Sequence, residues 1–254
     1  MACDSLLSRS REDYYAGEGE AAGVWIGTGA ASLGLTGEVG EEGLARLLEG
    51  RDPISGLLLR LARSSSPVAG FDLTFRAPKS VSVLFGVAEP DIAQRITRAH
   101  DEAVAQAMGY LEREACWTRR GRAGPVRLPG RGFVAAAFRH RSSRAGDPLL
   151  HTHVVVANAT QAADGRWTAL DGRELYRHAK TAGYLYQAAL RAELSRDHGL
   201  TPGITGPWQI LGSSRIPLRE MVGIDYLYAT NWSPWSDVNI LLRTVPHVLS
   251  RRGM

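Results

Sequence analysis

Three histidines carry the chemistry most legible in this chain: His140, then His151 and His153 in the run LLHTHVVVAN. The stretch from His151 to Val156 is rich in β-branched residues and reads as a strand. Side chains alternate faces along a strand, so His151 and His153 point the same way, roughly 7 Å apart along the backbone. His140 ends a second strand-like run from Phe133, in which Val134, Ala136, Phe138 and His140 share one face. Between the runs, Arg141 to Leu150 holds the turn residues Gly146, Asp147 and Pro148, which fold one strand back onto the other. Three imidazoles then converge on one point, at the spacing of nitrogen ligands about 2.0–2.1 Å from a metal. Such a set suits a hydrolase, an oxygenase or a phosphoryl-transfer enzyme.

Two further elements narrow the choice. In Gly70 to Phe85, GFDLTFRAPKSVSVLF, Asp72 lies on the opposite face of a strand from Phe71 and Leu73. Its carboxylate suits a general base, or an acceptor for the N–H of a metal-bound imidazole. Tyr14 and Tyr15 are packing residues or nucleophiles. With a pKa near 10, a tyrosine nucleophile needs a base or cation beside it. A metal polarising a phosphodiester, with Asp72 taking the phenolic proton, meets that need.

The elements that position these residues follow from periodicity. Residues 14–37 read as a glycine-rich loop, then a strand or short helix. Glu41 to Leu48 and Ile54 to Ala62 carry apolar residues at helical spacing, and Arg63 to Gly70 reads as a linker. Phe71 to Phe75 alternates like a strand; Lys79 to Phe85 fits a strand or a buried helix. From Pro90 to about Glu114 the pattern is helical, with Ile92, Ile96, Ala99, Ala103, Ala107 and Leu111 as its stripe and His100 at the core edge. Asp164-Gly165 marks a turn before a short strand, Arg166 to Leu170. Arg173 to Asp197 is a second long helix, with Tyr186, Leu190 and Leu194 on one face and Gly199 as its stop; His178 and His198 lack partners at ligand spacing.

Composition sets the bounds. The 254 residues, 44% hydrophobic and 22% charged, suit one globular domain with a small appendage. Two cysteines, Cys3 and Cys116, exclude a disulfide framework and a cysteine-based zinc finger. No run of 18 apolar residues reads as a membrane span, and the N-terminus lacks a signal peptide's apolar core, so a cytoplasmic protein is expected. Net charge is only +4, but eight arginines and no acidic residue fall between residues 119 and 144: Arg119, Arg120, Arg122, Arg127, Arg131, Arg139, Arg141 and Arg144. Such a block attracts polyanions, DNA among them; the alternative is a solvated edge.

The segments FDLTFRAPKSVSVLF, FRHRSSRAGDPLLHTHVVVAN, DGRWTALDGRELY and AGYLYQAALRAEL together resemble the TrwC-type (MobF) conjugative relaxases, over roughly Tyr14 to Leu200. The resemblance implies an α+β two-layer sandwich, a palm-like antiparallel sheet covered by helices. It implies nicking of one strand at the transfer origin of a plasmid or mobile element, with a tyrosine left linked to the 5′ end. His140, His151 and His153 become ligands to a divalent ion (magnesium, manganese or zinc) and Asp72 the base. Single-stranded or supercoiled DNA and other conjugation proteins become the partners, and no small-molecule substrate is expected.

Two departures from the family are expected. Its members begin with a strand carrying the principal tyrosine, and MACDSLLSRSRED does not resemble it. Tyr14 and Tyr15 resemble the family's later tyrosine pair. The strand and the first nucleophile are therefore read as missing from a domain spanning 1–200. The alternative function is an impaired remnant that only binds metal and DNA. Residues 201–254 read as a divergent tail, with both ends altered by truncation or a shifted frame. The helicase of long members needs a glycine before a phosphate-loop lysine; Lys79 follows Pro78 and Lys180 follows Ala179, so no such loop is present.

Overall fold

The computed structural model describes residues 2–6, 21–60, 68–120, 126–143 and 146–198; of these, residues 2–6, 197 and 198 are described by their backbone alone. Five antiparallel strands form the main sheet, in the order β1 (Ala2–Leu6), β3 (Gly70–Arg76), β7 (Pro148–Ala157), β6 (Ala135–Ser142) and β2 (Val24–Ile26). β4 (Trp117–Arg120) pairs with β5 (Val126–Pro129), and β8 (Thr160–Gln161) with β9 (Trp167–Thr168). The helices are α1 (Thr28–Ser32), α2 (Glu41–Leu48), α3 (Lys79–Val87), α4 (Pro90–Ala115) and α5 (Gly172–His198). This is the two-layer α+β architecture that the sequence predicts.

The central strand β7 is buried from Leu150 to Ala157. One face of the sheet offers Phe71, Leu73, Phe75, Ala135, Ala137, Leu150, Val154 and Val156 to α4 and α5. Alanines 99, 103 and 107 on α4 let that helix approach closely, and Ile96 and Leu111 fill the space between layers. Each fully buried aliphatic side chain of this size contributes about 1.5–3 kcal/mol. Among the described residues the opposite face is packed by α1 and α2. α2 packs Leu44 against Ala136, Phe138 and Val155, and Ala30 with Leu47 packs against Val134 and Ala157. Asp72, His140, His151 and His153 lie on this same face.

Three expectations are corrected. Ala2–Leu6 is a strand, in register with β3 from Ala2↔Thr74 to Leu6↔Gly70. Ladder hydrogen bonds are made by backbone, so Ala-Cys-Asp-Ser-Leu completes a sheet edge without the β-branched residues that signal a strand. Ile54 to Arg60, the described part of the expected helix, is not helical: Asp52 accepts the N–H groups of Ile54 and Ser55 at 2.8 Å, and Gly56 takes φ 70°, which makes a turn with Ile54 and Leu57 exposed. Lys79 to Phe85 is a helix but not a buried one. Pro78 ends the preceding extended run and its carbonyl accepts the Ser82 N–H at 3.0 Å; Ser82 is the buried residue, while Val83, Leu84 and Val87 are exposed.

Candidate metal centre

β6 and β7 bring the three histidines together through register. His140 stands directly opposite His151, and His153 lies opposite Phe138, one same-face position along. The turn is tighter than the sequence suggests: β6 runs to Ser142 and β7 starts at Pro148, with Gly146 at φ 82°. The ring centroids are 5.1 Å apart for His140–His151, 5.3 Å for His140–His153 and 5.1 Å for His151–His153. One ligand nitrogen from each lies within 4.8 Å of the other two, and all three residues are buried. It is the one such group of three metal-ligating side chains among the described residues.

Hydrogen bonds behind two of the rings fix which nitrogen faces inward. His151 Nδ1 lies 2.9 Å from the Leu149 carbonyl, an acceptor only, so Nδ1 carries the proton and Nε2 keeps its lone pair. His153 Nδ1 lies 2.9 Å from both oxygens of Asp72, with Thr74 Oγ1 at 3.3 Å. A carboxylate behind an imidazole fixes its tautomer and raises its basicity toward a metal. Burial lowers the His151 pKa to about 4, the imidazoles of His153 and His140 and the Arg76 guanidinium adding to the effect. At neutral pH His151 is therefore the uncharged ligand form. Three imidazoles leave a tetrahedral ion one further position, and an all-nitrogen donor set suits zinc, copper or nickel better than magnesium, which prefers oxygen.

The remaining predicted residues divide. Asp72 is brought to the site, against His153. Tyr14, Tyr15, Arg122 and Arg144 lie outside the described residues. The other arginines meet partners within the chain: Arg119 lies 3.7 Å from Asp171, Arg127 3.2 Å from Glu174, and Arg120 and Arg139 pair with Asp164 and Asp101. The Arg131 guanidinium donates to the Ala163 carbonyl at 3.2 Å. Arg141 lies over the Phe85 ring at 5.5 Å, at the end of β6 that carries His140. The block is bare of acidic residues in sequence, but its countercharges arrive from α4, α5 and the segments around them. A cavity of about 530 Å³ lies between α4 and the β2 side of the sheet, bordered by Asp101, Arg139 and Thr152. Thr152 and Arg139 point away from the histidines, so this cavity is not the mouth of the metal centre.

Several contributors escaped the sequence reading. Thr74 lies two residues after Asp72, so strand alternation alone places it beside the carboxylate. The Leu149 carbonyl carries no sequence signal. His100 is not at the core edge but fully buried, between Thr152 and Tyr186. His178, expected to lack partners at ligand spacing, bonds Tyr110 Oη through Nδ1 at 2.7 Å.

The TrwC relaxase family model matches residues 4–237 of this chain. Among curated proteins the chain is similar to the multifunctional conjugation protein TraI of Escherichia coli, 36% identical over 223 residues. That match covers 79% of this chain and 12% of TraI, so the chain spans about an eighth of that relative's length. Among solved structures it is similar to the conjugative relaxase TrwC in complex with oriT DNA, in its copper-bound form. The identity is 34% and the TM-score 0.67, over 77% of this chain and 70% of that one. A second kind of similarity is shorter: an uncharacterized sugar transferase of Haemophilus influenzae is 44% identical over 52 residues, 20% of this chain and 11% of that protein.

Proposed function

The chain belongs to the TrwC relaxase family, and from that premise we propose that it nicks one DNA strand at a transfer origin and holds the cut end on a tyrosine. The observation that carries this reading is the convergence of His140, His151 and His153 on one face of β6 and β7, with Asp72 behind His153. A divalent ion held by the three imidazoles supplies positive charge to offset the charge that builds on the scissile phosphate.

The chain's own residues supply the rest. The phenolic oxygen of Tyr14 or Tyr15 bonds to phosphorus as the bond from phosphorus to the 3′ oxygen breaks. The 3′ oxygen leaves and takes up a proton, and the 5′ phosphate stays on the tyrosine. Asp72 sets its carboxylate against His153 Nδ1, and the same carboxylate takes the phenolic proton as general base. Covalent reach permits the meeting. Val24 stands opposite Ala137, three residues from His140, and Tyr15 lies nine residues before Val24. Nine residues span up to about 30 Å, more than the separation along and across the strands requires. Arg119, Arg120, Arg127, Arg131, Arg139, Arg141, Arg122 and Arg144 serve the DNA. The carboxylates that pair with Arg120 and Arg139, Asp164 and Asp101, are about half exposed, and surface ion pairs are worth about 0–1 kcal/mol, so phosphates can displace those two. No described helix is long and apolar enough to cross a membrane; we place the work on cytoplasmic DNA, alongside other conjugation proteins.

A metal- and DNA-binding module without nicking is the second reading, favoured by β1, whose Ala-Cys-Asp-Ser-Leu holds no tyrosine beside Asp72. Supercoiled plasmid bearing the cognate origin, incubated with zinc, manganese or magnesium, separates the two. A covalent protein–DNA product that disappears in Tyr14→Phe/Tyr15→Phe supports the relaxase. Binding without cleavage supports the module.

We also propose that residues 201–254 form a segment apart from the domain at 1–200. The TraI match covers 79% of the chain and the sugar-transferase match 20%, shares small enough to lie side by side; the family model alone runs on to residue 237. Sequencing the transcript across codon 200 tests the join. A relaxase-like reading continuing downstream in the same frame rejects it.

A further inference from the structure

Between the two β7 ligands stands Thr152, whose side chain points to the opposite face of the sheet. Its neighbours on that face of β7, Leu150, Val154 and Val156, are each 0% exposed. Thr152 Oγ1 lies 2.8 Å from His100 Nε2 on α4, and His100 Nδ1 lies 2.7 Å from Tyr186 Oη on α5. All three residues are buried, and the Tyr186 ring also packs against Phe75, 5.5 Å between centroids. A polar chain of this kind is not needed for stability. Apolar side chains of the same shape hold a core as well, whereas each partner left unsatisfied costs about 1–3 kcal/mol. What hydrogen bonds add is direction: a hydroxyl and an imidazole meet at one distance and angle, while apolar surfaces slide.

We propose that Thr152, His100 and Tyr186 form a buried strut that positions His151 and His153 for the metal by tying β7 to both long helices at the level of the ligands. The inference rests on the reading of the histidine triad as a metal centre. The mechanical link is short. Neighbouring Cα atoms are 3.8 Å apart, so a shift of Thr152 moves His151 and His153 together. Metal–nitrogen distances tolerate about 0.2 Å, so a strand free to ride by several tenths of an ångström holds the ion less well. The imidazole suits its place chemically. A neutral ring donates through one nitrogen and accepts through the other, which matches a hydroxyl on each side. Burial, with Arg139 and His151 nearby, keeps the His100 pKa at about 3, so the ring stays in that neutral form. Asp101 faces Arg139 rather than this ring.

The test uses the full chain. Thr152→Val and Tyr186→Phe remove one hydroxyl each at nearly constant volume, and Thr152→Ser restores the hydroxyl. Zinc affinity is measured by competition with a chromophoric chelator, and ligand geometry by the visible spectrum of the cobalt-loaded protein. Thermal midpoints are taken without metal. Thr152→Val and Tyr186→Phe are expected to weaken zinc binding about tenfold, the lower end of what losing a residue that orients a ligand costs, and to alter the cobalt spectrum. Thr152→Ser is expected to stay near wild type on both. If Thr152→Val fails to fold, Tyr186→Phe and Thr152→Ser carry the comparison. A lowered thermal midpoint with unchanged zinc affinity and cobalt spectrum overturns the strut and leaves a packing role. A wild-type chain that binds no zinc or cobalt overturns the metal-centre reading instead, and the strut with it.

Discussion

Replacing Asp72 by asparagine isolates the charge behind His153. Both carboxylate oxygens lie 2.9 Å from His153 Nδ1, and both residues are buried, so water screens the contact little. A hydrogen bond to a charged group contributes about 1.5–3 kcal/mol, roughly twice a neutral one. Asparagine keeps the shape and one acceptor oxygen but removes the charge that raises imidazole basicity. The expected loss is then about 1.4–2.7 kcal/mol of metal binding, or 10- to 100-fold in affinity. Competition against a chromophoric chelator near neutral pH reads it directly, and urea unfolding of the metal-free chain shows whether the fold is unchanged. An Asp72→Asn protein that unfolds like wild type and holds zinc within twofold of wild type refutes the reasoning, because the carboxylate would then be a bystander.

Other perturbations reach different parts of the structure. His151→Ala is expected to lose most bound metal, measured by elemental analysis after gel filtration; unchanged metal content rejects the triad. Acid should weaken the fold through His100, whose pKa is about 3 here against about 6.5 in an unfolded chain. Below pH 6.5 the unfolded chain takes up a proton that the folded one refuses, so stability falls by up to about 1.4 kcal/mol per pH unit down to about pH 3. Urea midpoints should fall across that window, and more shallowly, by about one proton, in His100→Gln; equal slopes contradict the assignment. Gly132→Ala should destabilise the join of α1 to the start of β6. Its φ is 115°, and a Cβ there lies 1.9 Å from Thr28 Oγ1 and 2.7 Å from Gly29 N. A thermal midpoint within a degree of wild type contradicts that crowding.

Strand alternation was enough to place His151 and His153 on one face and Asp72 opposite Phe71 and Leu73. Helical spacing was enough for α4 and α5, because their long apolar stripes leave no other period. Short or edge elements were not legible. β1 is held by the backbone of β3 rather than by its own side chains. Ile54 to Ala62 has helical spacing, yet Asp52 and Gly56 turn the chain before a helix begins. The arginine block looked uncompensated because its countercharges come from Asp101, Asp164, Asp171 and Glu174, which enter only through tertiary contacts.

By itself the sequence determined the donor set, the period of the strands that carry it and the family to which the chain belongs. These depend on residue type and on spacing within one element. Only the tertiary structure decided that His140 stands across from His151, that Asp72 serves His153, and that His100 ties the strand between the ligands to both helices. Those relations join residues up to 86 positions apart. Strand register and layer packing set them together, and no local pattern encodes either.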